Sequence, residues 1–387
     1  MKKNISIIYI NFAPYENAGK ILDYLLANFS TVLLYSFRFH NITDPDHSDL
    51  LTVYRNSKPV KQYKLLHTPV ASTMTFYVLP LRSFFIMLQV LFYTLYLRSE
   101  YGPYDIYFTV NAYTAWIGNI LRKIHVVRKT VFWIWDYYPP VHKHIIVRLM
   151  RWIYWQFDKP ASLDATKVVF LNERLEILRK KLGVLPKNKE YSVVPIGTDP
   201  SKPSTARKGK ILRFVFFGVV KQSQGLDLIF SQAGEIIKKH KHVELHIIGN
   251  GPDKNHYQQI AKTSPYKTTF YGYLKNNKDI QKIIGSCHIG LAPYVPEESN
   301  VSYYSDPSKI KAYLSLGVPV ITTDVFTFSS EITKSKAGVV IDYFKPEQFV
   351  HAVSDITKGL SSFRKASYKL GNKYYYKNIY PQLFTGV

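Results

Sequence analysis

Cysteine is almost absent from this 387-residue sequence, in which Cys287 is the single example. One cysteine excludes an internal disulfide and any metal site built from cysteines. Cys287 stands in the apolar segment GSCHIGLAPY, where a buried and unreactive thiol is expected. The sequence therefore predicts a fold without disulfide cross-links.

Acidic residues are also scarce. The chain has 27 of them against 51 lysines and arginines, which gives a formal net charge of +24. This excess indicates a polyanionic partner: nucleic acid, an anionic membrane surface or a phosphorylated substrate. The 31 tyrosines and 23 phenylalanines favour the membrane surface, although aromatic rings also stack on bases. With 46% hydrophobic and 20% charged residues, the chain has the composition of a folded globular protein.

No hydrophobic run reaches the ~20 residues that a bilayer-spanning helix needs. The run between Arg82 and Arg98, SFFIMLQVLFYTLYL, predicts either a buried helix or a helix that enters the membrane interface. The amino terminus, MKKNISIIYINF, has lysines and an apolar run, but residues 14–20 do not resemble a cleavage site. We interpret it as a first buried strand rather than a signal peptide.

Segment 141–158 predicts an amphipathic helix. On its helical wheel the basic residues His144, Arg148 and Arg151 share one side. The apolar residues Leu149, Ile153 and Phe157 share another side, and Trp152 and Trp155 lie between the two. Basic residues beside tryptophans are typical of a helix lying on an anionic membrane. The alternative is a helix packed on the sheet with a solvated basic face.

Strand-like and helix-like segments alternate throughout, which predicts a parallel α/β architecture. Strands are expected at 6–11, 31–36, 105–110, 130–135, 167–171 and 192–195, and after a polar stretch at 212–217, 243–248, 268–271, 288–292 and 318–322. The polar stretch predicts a linker at 201–210 between a domain at 1–200 and a second at 211–360. Residues 361–387 are predicted to form a basic helical tail, and one option is that this tail packs back on the first domain. Two doubly wound, Rossmann-like domains with a cleft between them are therefore expected.

Segment 304–324, YSDPSKIKAYLSLGVPVITTD, joins a turn, a helix and a buried strand. Asp306 and Pro307 are suited to a helix start, and Gly317 to its end. A helix N-terminus beside a parallel strand attracts anions, and Lys309 and Lys311 add positive charge there. The alternative is an ordinary loop-helix-strand unit with two solvated lysines.

Three further motifs place a glycine turn at the carboxyl end of a predicted strand: FFGVVKQSQGLD (216–227), IIGNGP (247–252) and FYGYL (270–274). In an open α/β sheet this edge gathers loops and helix N-termini, and ligands bind there. One such turn carries little information, whereas four in this order favour a binding edge.

These motifs resemble the donor domain of the family-four retaining glycosyltransferases with the GT-B fold, over about residues 213–342. VVPIGTD (193–199) resembles the end of that family's first domain, and WIWDYYPP (133–140) resembles its acceptor-side strand, with Asp136 at the strand end. The resemblance implies an enzyme that transfers a sugar from a nucleotide diphosphate. It implies no cofactor besides the nucleotide-sugar substrate, and no metal.

The family's charged signatures are altered in this chain. The resemblance implies that residues 218–225 form the loop over the donor diphosphate, but Val219 and Gln224 stand where the family has arginine and lysine. Tyr304 and Ala312 stand where it has a pair of glutamates. We therefore predict that Lys309 and Lys221 neutralise the diphosphate, and that Glu298 or Asp306 holds sugar or ribose hydroxyls.

Further site residues follow from the resemblance. Asp136 is predicted to orient an acceptor hydroxyl, with capping of the following turn as the alternative. The predicted donor-binding residues are Gly218, Val219, Gln224, Gly249, Gly251, Tyr273, Leu274, Glu298, Ser299, Tyr304, Ser305, Asp306 and Lys311.

The sequence as a whole predicts a glycosyltransferase attached peripherally to the cytoplasmic face of the cell membrane. Its expected partners are a nucleotide-sugar donor, a lipid-linked or polysaccharide-precursor acceptor and the anionic membrane surface. A non-catalytic GT-B binding or partner subunit is one alternative. A nucleic-acid binder is another, but charge alone suggests it and no recognition motif supports it.

Overall fold

The computed structural model describes residues 3–13, 19–38, 49–67, 78–135, 137–139, 142, 144–185, 191–199, 203, 210–274, 276–297 and 301–387. The chain forms two compact units. Unit 1 contains Met1–Gly197 and Tyr376–Val387, and unit 2 contains Thr198–Tyr375. Most of the predicted linker lies outside the described residues.

Unit 1 is built on a sheet of eight strands in the order β4-β3-β2-β1-β5-β6-β7-β8. The strands are β1 (Lys3–Asn11), β2 (Phe29–Ser36), β3 (Leu50–Arg55), β4 (Lys58–Lys64), β5 (Tyr104–Thr109), β6 (Val127–Ile134), β7 (Lys167–Phe170) and β8 (Ser192–Val193). All neighbours pair in parallel except β2 with β3 and β3 with β4. The central strands are almost fully buried, as their continuous apolar runs require.

Seven helices belong to the described part of unit 1: α1 (Ile21–Asn28), α2 (Leu79–Tyr96), α3 (Arg98–Tyr101), α4 (Ala112–Lys123), α5 (Ile145–Asp164), α6 (Glu173–Lys181) and, near the carboxyl terminus, α15 (Tyr376–Ile379). A fully buried ion pair between Asp158 of α5 and Arg179 of α6 joins the two helices. In it the Arg179 Nη2 donates to the Asp158 Oδ1 at 2.9 Å. Helix α2 packs against α4 and also contacts α5.

The β3–β4 hairpin was not predicted. Its strands are joined by Asn56 and Ser57, which both have positive φ angles, as a two-residue hairpin turn requires. Strand β4 is exposed along almost its whole length and contains Pro59 and three lysines, so it lacks the apolar alternation that predicts a strand. Proline and lysine on an edge strand discourage pairing with other chains.

Unit 2 has six parallel strands in the order β11-β10-β9-β12-β13-β14. They are β9 (Leu212–Phe217), β10 (Val243–Ile248), β11 (Lys267–Gly272), β12 (Ile289–Ala292), β13 (Val320–Thr323) and β14 (Gly338–Ile341). This order reverses between β9 and β12, as in a doubly wound dinucleotide-binding sheet. The predicted strands of this half are confirmed, and β14 is an additional one.

The helices of unit 2 cover both faces of this sheet. They are α7 (Leu226–Ser231), α8 (Ala233–Lys239), α9 (Lys254–Thr263), α10 (Asn277–Ser286), α11 (Ser308–Ser315), α12 (Ser329–Ser335), α13 (Glu347–Lys358) and α14 (Leu360–Lys373). One apolar cluster includes Phe214 and Phe349, and another includes Val215 and Tyr313. Cys287 belongs to the second cluster and is fully buried, as predicted.

The predicted carboxyl-terminal tail is divided between the units. Helix α14 belongs to unit 2, where the Ser367 hydroxyl donates to the Ala337 carbonyl (2.8 Å). Residues after it return to unit 1, where the Tyr380 hydroxyl donates to the Gly19 carbonyl (2.7 Å) and Phe384 stacks on Tyr24. Residues 376–387 thus pack on unit 1, which was the option given for the predicted tail, whereas α14 packs within unit 2.

Candidate functional site

The candidate site lies in unit 2, where β9 and β12 end. The strand order reverses between these two strands, and the crevice beyond their carboxyl ends is the usual ligand site of an open α/β sheet. Residues 218–225 follow β9 and residues 293–297 follow β12. A hydrogen bond from the Val295 N–H to the Ser223 carbonyl (3.1 Å) joins the two loops.

Backbone hydrogen bonds donated by two glycines fix this edge of the sheet. The Gly218 N–H donates to the Ile248 carbonyl (2.9 Å), and the Gly249 N–H donates to the Gly272 carbonyl (2.8 Å). Gly249 has a φ angle of +130°, and a β-carbon there would lie 2.0 Å from the Gly218 carbonyl oxygen. The ends of β9, β10 and β11 are therefore joined at distances that a side chain would prevent.

Gly225 provides the first test of this loop. It has a φ angle of +77°, and an added β-carbon would lie 1.7 Å from the Pro293 carbonyl oxygen. Gly225→Ala is expected to lower the free energy of unfolding of unit 2 by about 2 kcal/mol, because the backbone angle is strained and the two loops must separate. Urea denaturation followed by circular dichroism measures it.

Gly234→Ala is the matched control. Gly234 lies within α8 and is exposed, and a β-carbon added there would meet no heavy atom within 4 Å. Alanine is the better helix former, so this variant should be as stable as the parent or slightly more stable. Equal stability of the two alanine variants would contradict the role assigned to Gly225.

Lys309 places a buried ammonium against the loop after β9. The residue lies in the first turn of α11 and is 6% exposed. Its Nζ donates to the Gln224 Oε1 (2.7 Å) and stands 4.2 Å from the ring centre of Phe216 and 4.6 Å from that of Tyr294. A β-carbon on Gly218 would lie 3.1 Å from Nζ, so the ammonium is next to the loop backbone. Two of the predicted site residues, Lys309 and Gln224, are thus brought together.

The electrostatics of Lys309 are those of a cation without a carboxylate. Among the described residues, no Asp or Glu forms an ion pair with it, and burial lowers the pKa of its ammonium to about 7. The Tyr294 hydroxyl stays protonated, because burial and, to a smaller extent, the Asp306 carboxylate raise its pKa far above the usual value. Aromatic rings and an amide oxygen hold the ammonium without neutralising it, which leaves its charge for an incoming anion.

The other two loop residues implied by the resemblance are at the surface. Val219 is 51% exposed, and its side chain cannot supply the charge of the family's arginine. Lys221 is exposed at the start of the 3-10 turn Gln222–Gln224. Within the described part of the chain its ammonium has no ion-pair partner, so its predicted role in phosphate neutralisation requires only that the side chain reorient.

Asp306 and Lys311 form a buried ion pair. Lys311 Nζ lies 2.6 Å from each carboxylate oxygen of Asp306, and the side chains are 2% and 5% exposed for Lys311 and Asp306 respectively. Burial lowers the pKa of Lys311, and the Asp306 carboxylate opposes that shift. Asp306 is not the N-cap residue of α11, because Pro307 occupies that position. The two charges cancel within the pair. A contact of either residue with the donor stays a prediction, because the donor would have to compete with the partner residue for the same charged group.

The remaining predicted donor-binding residues lie along the same sheet edge. A β-carbon on Gly251 would lie 2.1 Å from the Val220 carbonyl oxygen, so this glycine serves close backbone packing. Tyr273 is 47% exposed, and Leu274 packs on an apolar cluster. Tyr304 and Ser305 are partly exposed before α11. Asp136, Glu298 and Ser299 lie outside the described residues, so their predicted roles are untouched.

Sequence reasoning missed the aromatic residues around the ammonium. Phe216 is the penultimate residue of β9, Tyr294 follows β12 by two residues, and both rings contact the Lys309 ammonium. Beneath them the Tyr313 hydroxyl accepts from the Phe217 N–H (2.7 Å) and donates to the Leu291 carbonyl (3.3 Å). The sequence contained one sign of this arrangement, namely an aromatic residue near each of two strand ends beside a turn of small residues.

A family model matches this part of the chain. Residues 212–358 match the family described as Glycosyl transferases group 1. The match begins at the first residue of β9 and ends at the last residue of α13, so it contains the loops and Lys309. No curated protein sequence matches the chain.

Solved structures share the fold over nearly the whole chain. A sucrose-phosphate synthase from Thermosynechococcus elongatus aligns with a TM-score of 0.69 and 13% identity, covering 99% of this chain and 100% of that one. Anabaena HepE in complex with UDP aligns with a TM-score of 0.63 and 11% identity, and the alignment covers 99% of this chain and 98% of HepE. The lipopolysaccharide outer core galactosyltransferase WaaB aligns with a TM-score of 0.62 and 15% identity, and the alignment covers 99% of this chain and 100% of WaaB.

The family match and the shared architecture agree with the fold expected from the sequence. At such low identities the structural likeness establishes the fold, and the family match adds the activity class. The chain is a glycosyltransferase with the GT-B fold, and its residues 212–358 match the model of the family Glycosyl transferases group 1.

Proposed function

We propose that this glycosyltransferase takes its sugar from a nucleotide diphosphate-sugar bound at the ends of β9 and β12. The observation that carries the proposal is Lys309, a buried ammonium that no described carboxylate neutralises and that touches the glycine loop after β9. A diphosphate has the charge and the acceptor oxygens to complete its hydrogen bonds. The Gly218 loop lets phosphate oxygens approach the backbone, as in other phosphate-binding glycine turns.

The proposed chemistry is transfer with retention of anomeric configuration. The acceptor hydroxyl oxygen bonds to the anomeric carbon, the bond from that carbon to the diphosphate oxygen breaks, and the hydroxyl proton passes to the departing phosphate. Negative charge grows on the diphosphate in the transition state, and a pre-positioned ammonium stabilises it there. Lys309 has this role, with exposed Lys221 as the second cation. Asp136 remains the candidate for orienting the acceptor hydroxyl.

The acceptor we propose is a lipid-linked or polysaccharide-precursor molecule at the cytoplasmic membrane face. Support comes from the net charge of +24 and from α5, on which Ile145, Leu149 and Trp152 are exposed beside Arg148. Such a surface suits an anionic membrane. One protein of the same fold, WaaB, is described as acting on the lipopolysaccharide outer core.

Nucleotide binding tests the proposal. UDP, GDP, dTDP and CMP are compared by thermal shift, with UDP first because the HepE structure contains it. A nucleotide at a hundred times its dissociation constant should stabilise the protein by about 2.7 kcal/mol, or about 5–10 °C for a unit of this size.

Turnover is then measured with the matching nucleotide-sugars and anionic vesicles that contain polyprenyl-phosphate or polyprenyl-diphosphate glycans. Release of the nucleoside diphosphate only when donor and acceptor are both present is the expected result. Absence of any nucleotide-induced shift, together with no release from any of the donors, would overturn the proposal.

A further inference from the structure

Helix α2 has an outer face made almost entirely of large apolar side chains. Seven of its residues are between 42% and 61% exposed: Leu81, Phe84, Phe85, Leu88, Phe92, Leu95 and Tyr96. At 3.6 residues per turn they occupy one side of the helix, which we call the outer face of α2. The helix contains no Asp, Glu or Lys, and its one charged residue, Arg82, is buried outside this face. A contiguous apolar surface of this kind marks an interaction site.

The opposite side of α2 is fixed to unit 1 by buried contacts. Arg82 donates to the carbonyls of Phe12 (3.0 Å) and Arg38 (2.7 Å). The hydroxyls of Thr94 and Tyr35 hydrogen-bond at 2.9 Å near the other end of the helix. Burying α2 in hydrocarbon on all sides would break these bonds and desolvate an arginine.

The length of α2 also argues against a crossing orientation. Its 18 residues and mean hydropathy of 1.3 pass a test for a membrane span on length and composition. At 1.5 Å per residue the helix is about 27 Å long, slightly less than the ~30 Å hydrocarbon core. Only a third of it is buried in the protein. A helix bound to a sheet along one side can present its other side to a membrane only by lying parallel to the surface.

Exposed basic side chains belong to the elements next to α2. The Tyr93 ring of α2 stands 5.7 Å from that of Tyr63, which places the β3–β4 hairpin beside the helix. Lys58 and Lys64 of that hairpin are exposed, as is Arg98 at the carboxyl end of α2. An apolar strip flanked by cations matches the hydrocarbon boundary and anionic headgroups of a lipid leaflet.

A groove beside α2 extends the apolar surface. Gln89 accepts from the Leu66 N–H and donates to the Leu66 carbonyl, which holds the segment after β4 against the helix. Between them is a cavity of about 510 Å³ lined by Leu66, His67, Phe85, Leu88, Gln89, Phe92 and Tyr93. Leu66 itself is 79% exposed. An apolar cavity of this volume could hold part of a lipid chain from the leaflet.

We propose that unit 1 docks on an anionic lipid leaflet through the outer face of α2, which inserts parallel to the membrane surface. Helix α5, which touches α2, contributes the second apolar patch. This inference rests on the proposed function in so far as that function requires a membrane, and it names the surface that makes the contact.

Vesicle sedimentation tests the surface with the full-length chain. Phosphatidylcholine vesicles with and without 30% phosphatidylglycerol are compared for the parent, for the triple variant Phe84→Ser/Leu88→Ser/Phe92→Ser and for Phe344→Ser. Phe344 is a matched control, since it is 72% exposed in unit 2. The parent and Phe344→Ser should bind the anionic vesicles, and the triple variant should bind roughly a hundredfold more weakly. Equal binding of all three proteins would overturn the proposal, as would a parent that does not bind.

Insertion depth separates a parallel helix from a spanning one. Cys287 is buried, so Phe84→Cys and Leu95→Cys each provide one accessible thiol for an environment-sensitive fluorophore. The two positions share the outer face, about 20° apart around the axis and about 16 Å apart along it. Quenching by lipids brominated at different chain positions should report equal, shallow depths. Depths that differ by about 16 Å would mean that α2 crosses the bilayer and would overturn the proposal.

Two controls distinguish this inference from its alternatives. Light scattering without lipid reports self-association, and a dimer that the triple variant abolishes would assign the outer face of α2 to a second copy of the chain instead. Nucleotide-induced thermal shift in the triple variant should equal that of the parent, because unit 2 is unchanged. Loss of vesicle binding with an intact nucleotide shift supports the docking surface, whereas vesicle binding by a parent that shows no nucleotide shift refutes the donor site alone.

Discussion

Replacing Lys309 by methionine is expected to lower the rate of sugar transfer by roughly 10²- to 10³-fold, the effect of removing one pre-positioned charge from a developing oxyanion. Methionine retains most of the apolar stem, so the contacts with Phe216 and Tyr294 stay filled. The measurement is nucleoside diphosphate release under saturating donor, together with the donor dissociation constant.

Comparison variants locate the effect. Lys221→Ala should cost about tenfold or less, because an exposed ammonium is strongly solvated. Gln224→Ala should give an intermediate loss, because the 2.7 Å hydrogen bond that orients the ammonium is removed while the charge remains. The exchange Lys309→Gln with Gln224→Lys moves the cation to the position implied by the family resemblance and should recover part of the lost rate. A Lys309→Met enzyme with full activity would exclude Lys309 from the diphosphate site.

The pH dependence should follow the same residue. Burial lowers the pKa of Lys309 to about 7, so the free protein loses this charge as the pH rises above 7. The affinity for a nucleotide-sugar should therefore fall above pH 7 in the parent, with a proton taken up on binding, and this dependence should be absent from Lys309→Met. Each phosphate of a nucleotide diphosphate-sugar has one ester bond, one anhydride bond and a single strongly acidic proton, so it does not titrate near this pH and the ligand does not confound the measurement.

Stability has the opposite dependence. The unfolded lysine keeps its proton to about pH 10.5 while the folded one releases it near 7. The unfolded state therefore binds more protons between these values, and the contribution of Lys309 to stability becomes more favourable as the pH rises through that window. Calorimetric scans of the parent and of Lys309→Met separate this contribution from that of other groups.

The fold of unit 2 could be predicted from the sequence because its strands are short apolar runs, three of which (β9, β10 and β11) end at a glycine. Residues 212–217 and 243–248 coincide with β9 and β10. Between β9 and β10 the chain forms two helices, α7 and α8, that are separated at Gln232, a local irregularity that helical periodicity does not reveal. Parallel pairing buries both faces of a strand, so hydrophobicity alone marks these elements.

Unit 1 was less predictable where tertiary contacts decide. Strand β4 pairs only with β3 at the sheet edge, and its exposed lysines give no hydrophobic signal. For α2 the sequence left a buried helix and an interfacial helix open. Its exposed outer face and buried Arg82 show a half-buried helix, a distinction that depends on which side the sheet occupies.

The sequence also predicted the candidate site only in part. The resemblance located the loop after β9 and the start of α11, and the structure joins Lys309 to Gln224. It could not tell Lys309 from Lys311, two residues apart on one helix. Their side chains diverge by about 200° around the helix axis, so one meets the glycine loop and the other meets Asp306. Spacing predicts that divergence, but only the packed fold identifies the partner on each side.

The ion pair of Asp306 and Lys311 leads to the second large effect. Asp306→Ala removes the carboxylate that lies 2.6 Å from the Lys311 ammonium and leaves that cation buried between the rings of Phe328 and Tyr374. We expect the free energy of unfolding of unit 2 to fall by about 3–5 kcal/mol, the usual cost of breaking a buried pair from one side. Urea denaturation at pH 7 measures it.

The double variant Asp306→Ala/Lys311→Met decides whether the pair is structural or contacts the donor. Removing both charges eliminates the unpaired buried ammonium, so most of the lost stability should return, since an apolar replacement of a buried pair is often neutral. If the pair only fixes the start of α11, the double variant should bind nucleotide within about threefold of the parent, because Lys309 still faces the glycine loop. A double variant with restored stability but at least tenfold weaker donor binding would instead assign Asp306 to the ribose or sugar hydroxyls. In that case Lys311 holds the Asp306 carboxylate in place, and the charge that the family supplies from a glutamate on α11 comes in this chain from a residue that precedes the helix.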